Sequence, residues 1–222
     1  LKPTIWITRT APAAFETARR FEALGLTVIV SPLLEISPPS SMPAAPPPGT
    51  VLIFTSRNGV RAFADLTGRR DWPVITVGDA TAEEARRIGF ADIRSAQGNS
   101  SDVIELIKSA MPKTRELIHY AGEQARGDIA GRLGAAGYHI SREVIYRSTP
   151  VRKKPDIDRP DYIALYSPMA ARILAGLDMD LKNTVALAIS AQTADMLVGV
   201  KLKDIRVADR PNEDAMLELI IN

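Results

Sequence analysis

The sequence has no cysteine, which excludes disulfides, thiolate metal sites and thiol catalysis. It has two histidines, His119 and His139, too few for a histidine-based metal centre. Charge of one sign is not in excess. Lys+Arg 28 against Asp+Glu 26 gives +2, too balanced to require a nucleic-acid partner. No apolar run reaches the roughly 18 residues that would span a membrane. The opening Leu1-Lys2-Pro3-Thr4-Ile5-Trp6 lacks the pattern of a signal peptide, so a cytoplasmic location is expected. Also missing are G-x-x-x-x-G-K-[ST], a G-x-G-x-x-G after a strand and a G-x-S-x-G elbow.

What is present is a globular chain of 222 residues, 45% hydrophobic and 24% charged, long enough for one large or two small domains. Shifted against itself by about half its length, the sequence matches in order. Val51-Leu52-Ile53-Phe54-Thr55-Ser56 lies over Tyr162-Ile163-Ala164-Leu165-Tyr166-Ser167. With a one-residue slip, Thr81-Ala82 lies over Thr193-Ala194 and Asp92-Ile93-Arg94 over Asp204-Ile205-Arg206. This order predicts an internal duplication. Each copy alternates short β-branched runs with helical patterns closed by glycines such as Gly25, Gly89 and Gly137. Such alternation predicts an α/β protein with parallel sheets covered by helices on both faces. Five strands per copy fit a flavodoxin-like sheet, which binds ligands outside the carboxyl ends of its strands.

One segment breaks the pattern. Ser37 to Gly49 carries prolines at 38, 39, 43, 46, 47 and 48 and predicts an extended, semi-rigid connector. Ser148 to Pro160 is its counterpart, and the basic run Arg152-Lys153-Lys154 within it reads as solvated linker. In each copy the first βαβ is thus set apart from the rest. The domains are then either sequential or exchanged, with residues 1 to about 35 packing on about 152–222. Periodicity alone leaves both open.

Polar residues cluster where strands give way to helices. They include Thr8-Arg9-Thr10, Thr55-Ser56-Arg57-Asn58-Gly59, Gly78-Asp79-Ala80-Thr81, Ala121-Gly122-Glu123, Ser167-Pro168-Met169 and Ser190-Ala191-Gln192-Thr193. Each turn alone reads as helix capping. Six of them, expected at one cleft, exceed what capping needs and suit an anionic ligand at helix N-termini. His119 lies in an apolar run and reads as structural, and His139 beside a turn reads as solvated. Tyr146 ends the predicted strand Ile140 to Tyr146. A phenol there serves either as a hinge-packing residue or as a proton donor that needs no cofactor.

With these residues in view, the chain resembles the uroporphyrinogen-III synthase family. The resemblance is carried by Ile7-Thr8-Arg9, Ile53-Phe54-Thr55-Ser56-Arg57-Asn58-Gly59-Val60 and Val77-Gly78-Asp79-Ala80-Thr81-Ala82. Val144-Ile145-Tyr146-Arg147, Ser167-Pro168-Met169-Ala170 and Thr193-Ala194 complete it. They follow the family's order over essentially the whole chain. Where many relatives have Arg-Gly, this chain has Ala121-Gly122. It has Ser190-Ala191 where Gly-Pro is common, and Met169 where a small residue is usual.

The resemblance implies two flavodoxin-like domains joined by a two-stranded linker, in the exchanged arrangement: 1–35 plus 152–222, and 36–151. It implies cyclisation of hydroxymethylbilane with loss of water and inversion of ring D, without metal or organic cofactor. Tyr146 then corresponds to the tyrosine that assists departure of the hydroxyl. Arg9, Thr55, Ser56, Asn58, Thr81, Gly122, Ser167 and Thr193 become the substrate-binding set. A monomer in transient contact with the upstream hydroxymethylbilane synthase is expected. The alternative is a non-catalytic, two-domain cytosolic binder of an anionic small molecule or tetrapyrrole.

Overall fold

In the computed structural model, residues 2–125, 127–151 and 155–221 are described; the basic run Arg152-Lys153-Lys154 lies outside them. The chain opens with β1 (Thr4–Ile7), α1 (Ala13–Ala23), β2 (Thr27–Val30) and β3 (Leu34–Ser37). Beyond the proline-rich segment come β4 (Val51–Phe54), α2 (Arg57–Leu66), β5 (Val74–Thr76), α3 (Asp79–Ile88), β6 (Ile93–Ser95) and α4 (Ser100–Ala110). Next are β7 (Leu117–Gly122), α5 (Ile129–Ala135) and β8 (Ile140–Pro150). The remainder holds β9 (Tyr162–Leu165), α6 (Pro168–Ala175), β10 (Val185–Ala188), α7 (Ala191–Asp195), β11 (Asp204–Val207) and α8 (Glu213–Ile221).

These elements form two compact units, Leu1–Glu35 with Thr149–Asn222, and Ile36–Ser148. The first unit is built on a five-stranded sheet in the order β11-β10-β9-β1-β2. Its pairings are parallel, with Ile5 opposite Tyr162 and Trp6 opposite Ile163. The central strands TIWI, YIAL and VALA are near-continuous apolar runs, as a sheet covered on both faces requires. Ile5, Ile7 and Leu187 pack against Phe21 of α1 and Met216 of α8. On the other face, Trp6, Ile163 and Leu165 pack against Ala171 and Leu174 of α6.

The second unit carries a six-stranded sheet, β3-β8-β7-β4-β5-β6, parallel from β8 through β6. Leu52, Phe54, Ile118 and Tyr120 face α2 and α3 and meet Phe63, Trp72 and Phe90. Phe63 stands edge-on to Phe54, Trp72 and Tyr120, an arrangement that suits the ring quadrupoles. Val51, Ile53 and Leu117 face the opposite way, toward Ile104 and Ile107 of α4 and Leu133 of α5. If β7 is counted as the first strand, β8-β7-β4-β5-β6 follows the same spatial order, 2-1-3-4-5, as the first unit's sheet.

Two boundaries differ from the sequence reading. β8 continues past Tyr146 to Pro150, and β3 occupies residues read as the end of one domain and the start of a connector. The two are neighbours in the sheet, so each supplies the other's ladder partners. Leu34–Ser37 reads LEIS and is half-buried to exposed; its apolar-polar alternation lasts only four residues and runs straight into prolines, too short to stand out as a strand.

Candidate active site

In the second unit two of the polar strand ends, Ser56 and Gly122, meet at Tyr146. β4 is a wholly buried strand that delivers Thr55 and Ser56 to the start of α2. Ser56, in an extended conformation, caps that helix by accepting the Gly59 N–H at 3.0 Å. Asn58 lies in the same first helical turn and is half-buried. Ser56 Oγ also lies 2.9 Å from the Tyr146 hydroxyl. Gly122 ends β7 directly beneath the Tyr146 ring. Thr55 Oγ1 is 3.3 Å from Nε2 of His119, which is itself buried in β7. Burial, aided by the positive charge of Arg142, lowers the His119 pKa to about 4, so its ring is neutral at physiological pH.

Arg142 escaped the sequence reading, and Glu123 and Arg147, quoted there within motifs, were given no role of their own. Arg142 donates from Nη2 to the carbonyls of Gly122 (2.8 Å) and Glu123 (2.9 Å), and Arg147 pairs with the Glu123 carboxylate at 3.1 Å. The contacts arise from the parallel pairing of β7 with β8, where His119 lies opposite Arg142. No short motif joins residues twenty apart, so nothing local announces them.

Thr81 sits in the first turn of α3, its backbone N–H bonded to the Gly78 carbonyl at 3.1 Å, and is buried. In the first unit Thr193 occupies the corresponding place in α7; it is buried, with its hydroxyl 3.1 Å from Ser190 Oγ. Ser167 caps α6 by accepting the Ala170 N–H at 3.1 Å, with Pro168 just behind it in the first turn.

Arg9 follows β1, and its guanidinium is held through Nη1 and one flat face. It donates to Glu213 at 2.8 Å and to Thr17 at 3.1 Å, and it stacks 4.2 Å from the Tyr166 ring centroid. Tyr166 in turn donates to the second Glu213 oxygen at 2.9 Å. Burial, with the Glu213 charge adding to it, pushes the Tyr166 phenol far above its ordinary range. This clasp ties the ends of β1 and β9 to the start of α8.

Among the described residues, no group of three or more His, Asp or Glu side chains is placed to hold a metal ion. No helix among them is long and apolar enough to cross a membrane.

The fold thus belongs to a class of two-unit α/β proteins with flavodoxin-like parallel sheets, whose polar residues collect at strand ends. The family model described as uroporphyrinogen-III synthase HemD matches residues 16–218. The chain therefore belongs to the uroporphyrinogen-III synthase family, hydro-lyases of tetrapyrrole biosynthesis that act on a small-molecule substrate. Among solved structures it is similar to uroporphyrinogen-III synthetase from Helicobacter pylori 26695, at 17% identity and a TM-score of 0.68, over 100% of this chain and 99% of that one. A mutant uroporphyrinogen III synthase from the extremely thermophilic bacterium Thermus thermophilus is 18% identical with a TM-score of 0.54, over 99% of this chain and 97% of that one. At such identities the likeness concerns the fold. No curated protein matches the sequence.

Proposed function

We propose that this chain cyclises hydroxymethylbilane to uroporphyrinogen III, with Tyr146 as the proton donor. The observation that carries this reading is the hydroxyl pair of Tyr146 and Ser56, 2.9 Å apart at the carboxyl end of the second unit's sheet. The substrate's terminal hydroxyl leaves as water only if a proton reaches it, while the adjoining pyrrole nitrogen supplies the electrons that expel it. The cation so formed is attacked by ring D at its substituted carbon, giving a spiro intermediate whose rearrangement closes the ring with D inverted. The last step releases a proton from the closing pyrrole carbon, which restores the phenol. Proton donor and proton source thus balance within one turnover, and what the protein supplies is one acid and a fixed geometry.

The substrate is rich in carboxylates, and the starts of α2, α3 and α6 present backbone N–H groups suited to them. Thr55, Asn58, Thr81, Gly122, Ser167 and Thr193 are the residues proposed for these contacts, and Arg9 contributes charge from its clasp. The reading also includes a cytoplasmic monomer in transient contact with hydroxymethylbilane synthase.

The test supplies hydroxymethylbilane generated in situ and separates the type I and type III isomers. The type III isomer is expected; only the spontaneous type I product from folded protein overturns the proposal. Tyr146→Phe is expected to slow turnover by about 100-fold or more, in the range that general acids contribute, with the melting temperature nearly unchanged.

A further inference from the structure

The pairing of β7 with β8 slips at its carboxyl end. Ala121 lies opposite Val144, yet Gly122 lies opposite Tyr146, which leaves Ile145 as an extra residue. Consecutive strand residues face opposite sides of a sheet. Ile145 and Tyr146 nevertheless both pack on the cluster formed by Phe54, Val60 and Phe63. The bulge is therefore what turns Tyr146 from the α4–α5 side of the sheet to the α2 side. Gly122 completes the seat, because a Cβ there would fall 2.6 Å from Cζ and 2.8 Å from the hydroxyl oxygen of Tyr146. Bulge and glycine together bring that oxygen to Ser56.

We infer that Ser56 is a positioning residue for Tyr146, orienting its proton and stabilising its phenolate, and not a ligand for substrate. The inference rests on the reading of Tyr146 as proton donor. A serine hydroxyl has one proton to give and two lone pairs. One lone pair of Ser56 already accepts the Gly59 N–H, so the oxygen is anchored to the start of α2. With the serine proton directed at the phenol oxygen, the phenol's own proton is free to point at the departing hydroxyl. As that proton leaves, charge develops on an oxygen that already holds a hydrogen-bond donor, and such a bond strengthens when its acceptor becomes ionised. The positive end of the α2 dipole acts in the same sense.

The test compares Ser56→Asn, Ser56→Gly, Ser56→Thr, Tyr146→Phe and the Ser56→Asn/Tyr146→Phe double variant, each assayed for kcat and KM with hydroxymethylbilane. Asn retains an N-cap, and Gly costs a cap only slightly, so both remove the hydroxyl while sparing the helix. The expected result is a fall in kcat of about 10- to 100-fold in Ser56→Asn and Ser56→Gly, below the roughly 100- to 1,000-fold cost of losing an oxyanion-hole donor because only partial charge develops on the phenol, with KM within about twofold. Ser56→Thr restores the rate, and the double variant is no slower than Tyr146→Phe alone, as coupled residues require. Slow Tyr146→Phe beside fully active Ser56→Asn and Ser56→Gly overturns the inference and leaves the proton-donor reading standing. So does a raised KM at unchanged kcat, or losses that multiply in the double variant. Full activity in Tyr146→Phe overturns the proton-donor reading itself.

Discussion

His119 shows how much one side chain can set in this site. Its Nδ1 is buried without a partner among the described residues, while Nε2 faces the Thr55 hydroxyl. A bare lone pair is less costly to bury than an orphaned N–H, so the proton of the neutral ring belongs on Nε2 and is donated to Thr55. The Thr55 hydroxyl proton is then turned outward. The folded pKa of about 4 lies below the ordinary 6.5. At pH above 6.5 both folded and unfolded chains hold a neutral ring and His119 has no pH-linked effect. Between 6.5 and 4 the unfolded chain binds a proton that the folded one refuses, so stability falls with pH by up to about 3 kcal/mol and then levels off. Denaturant titrations at several pH values check this, and His119→Gln is expected to flatten that window.

Among elements, the clasp at the start of α8 is the clearest coupling of distant segments. Glu213 receives Arg9 on one oxygen and Tyr166 on the other, in a site where the Arg9 and Glu213 side chains are only 18% and 22% exposed. Glu213→Ala leaves a half-buried guanidinium without its counter-ion and a half-buried phenol without its acceptor. A loss of about 2 kcal/mol is expected, by the scale of hydrogen bonds to charged groups, measured as a lower denaturation midpoint. The sequence identified Arg9 by its place after an apolar strand but gave no sign of this partner, which lies 204 residues away. The same limit applies to Tyr146. Its residue type and neighbourhood were legible, whereas the bulge that aims it depends on register with β7 and has no local signature. Central strands such as VLIF and VALA were legible because burial on both faces demands unbroken apolar runs. Thr81 and Thr193 stood out as polar strand-end residues, and only packing reveals that both are buried.

At the scale of the molecule, the second unit is one continuous stretch while the first is assembled from two. A fragment spanning residues 34–150 contains all six strands of its sheet and is expected to fold alone, with dispersed amide resonances and a cooperative melt. A fragment of residues 149–222 lacks β1 and β2. It exposes the flank of β9 that pairs with β1 and is expected to stay unfolded until a peptide of residues 1–35 is added.

The discontinuous first unit has a consequence in time. β1, with Ile5, Trp6 and Ile7 wholly buried in the finished protein, is made early, but β9 comes only after the whole second unit has been synthesised. At ribosomal speeds of about 5–20 residues per second, the intervening stretch of about 113 residues, 36–148, takes roughly 6–23 s. For that interval, and until β9 itself is made, the nascent chain carries an apolar strand with no β9 to pair with; the second unit is complete only at the interval's end. Until then β1 can pair only with β2, made directly after it, and the other edge of β1 stays open while the rest of the chain is made.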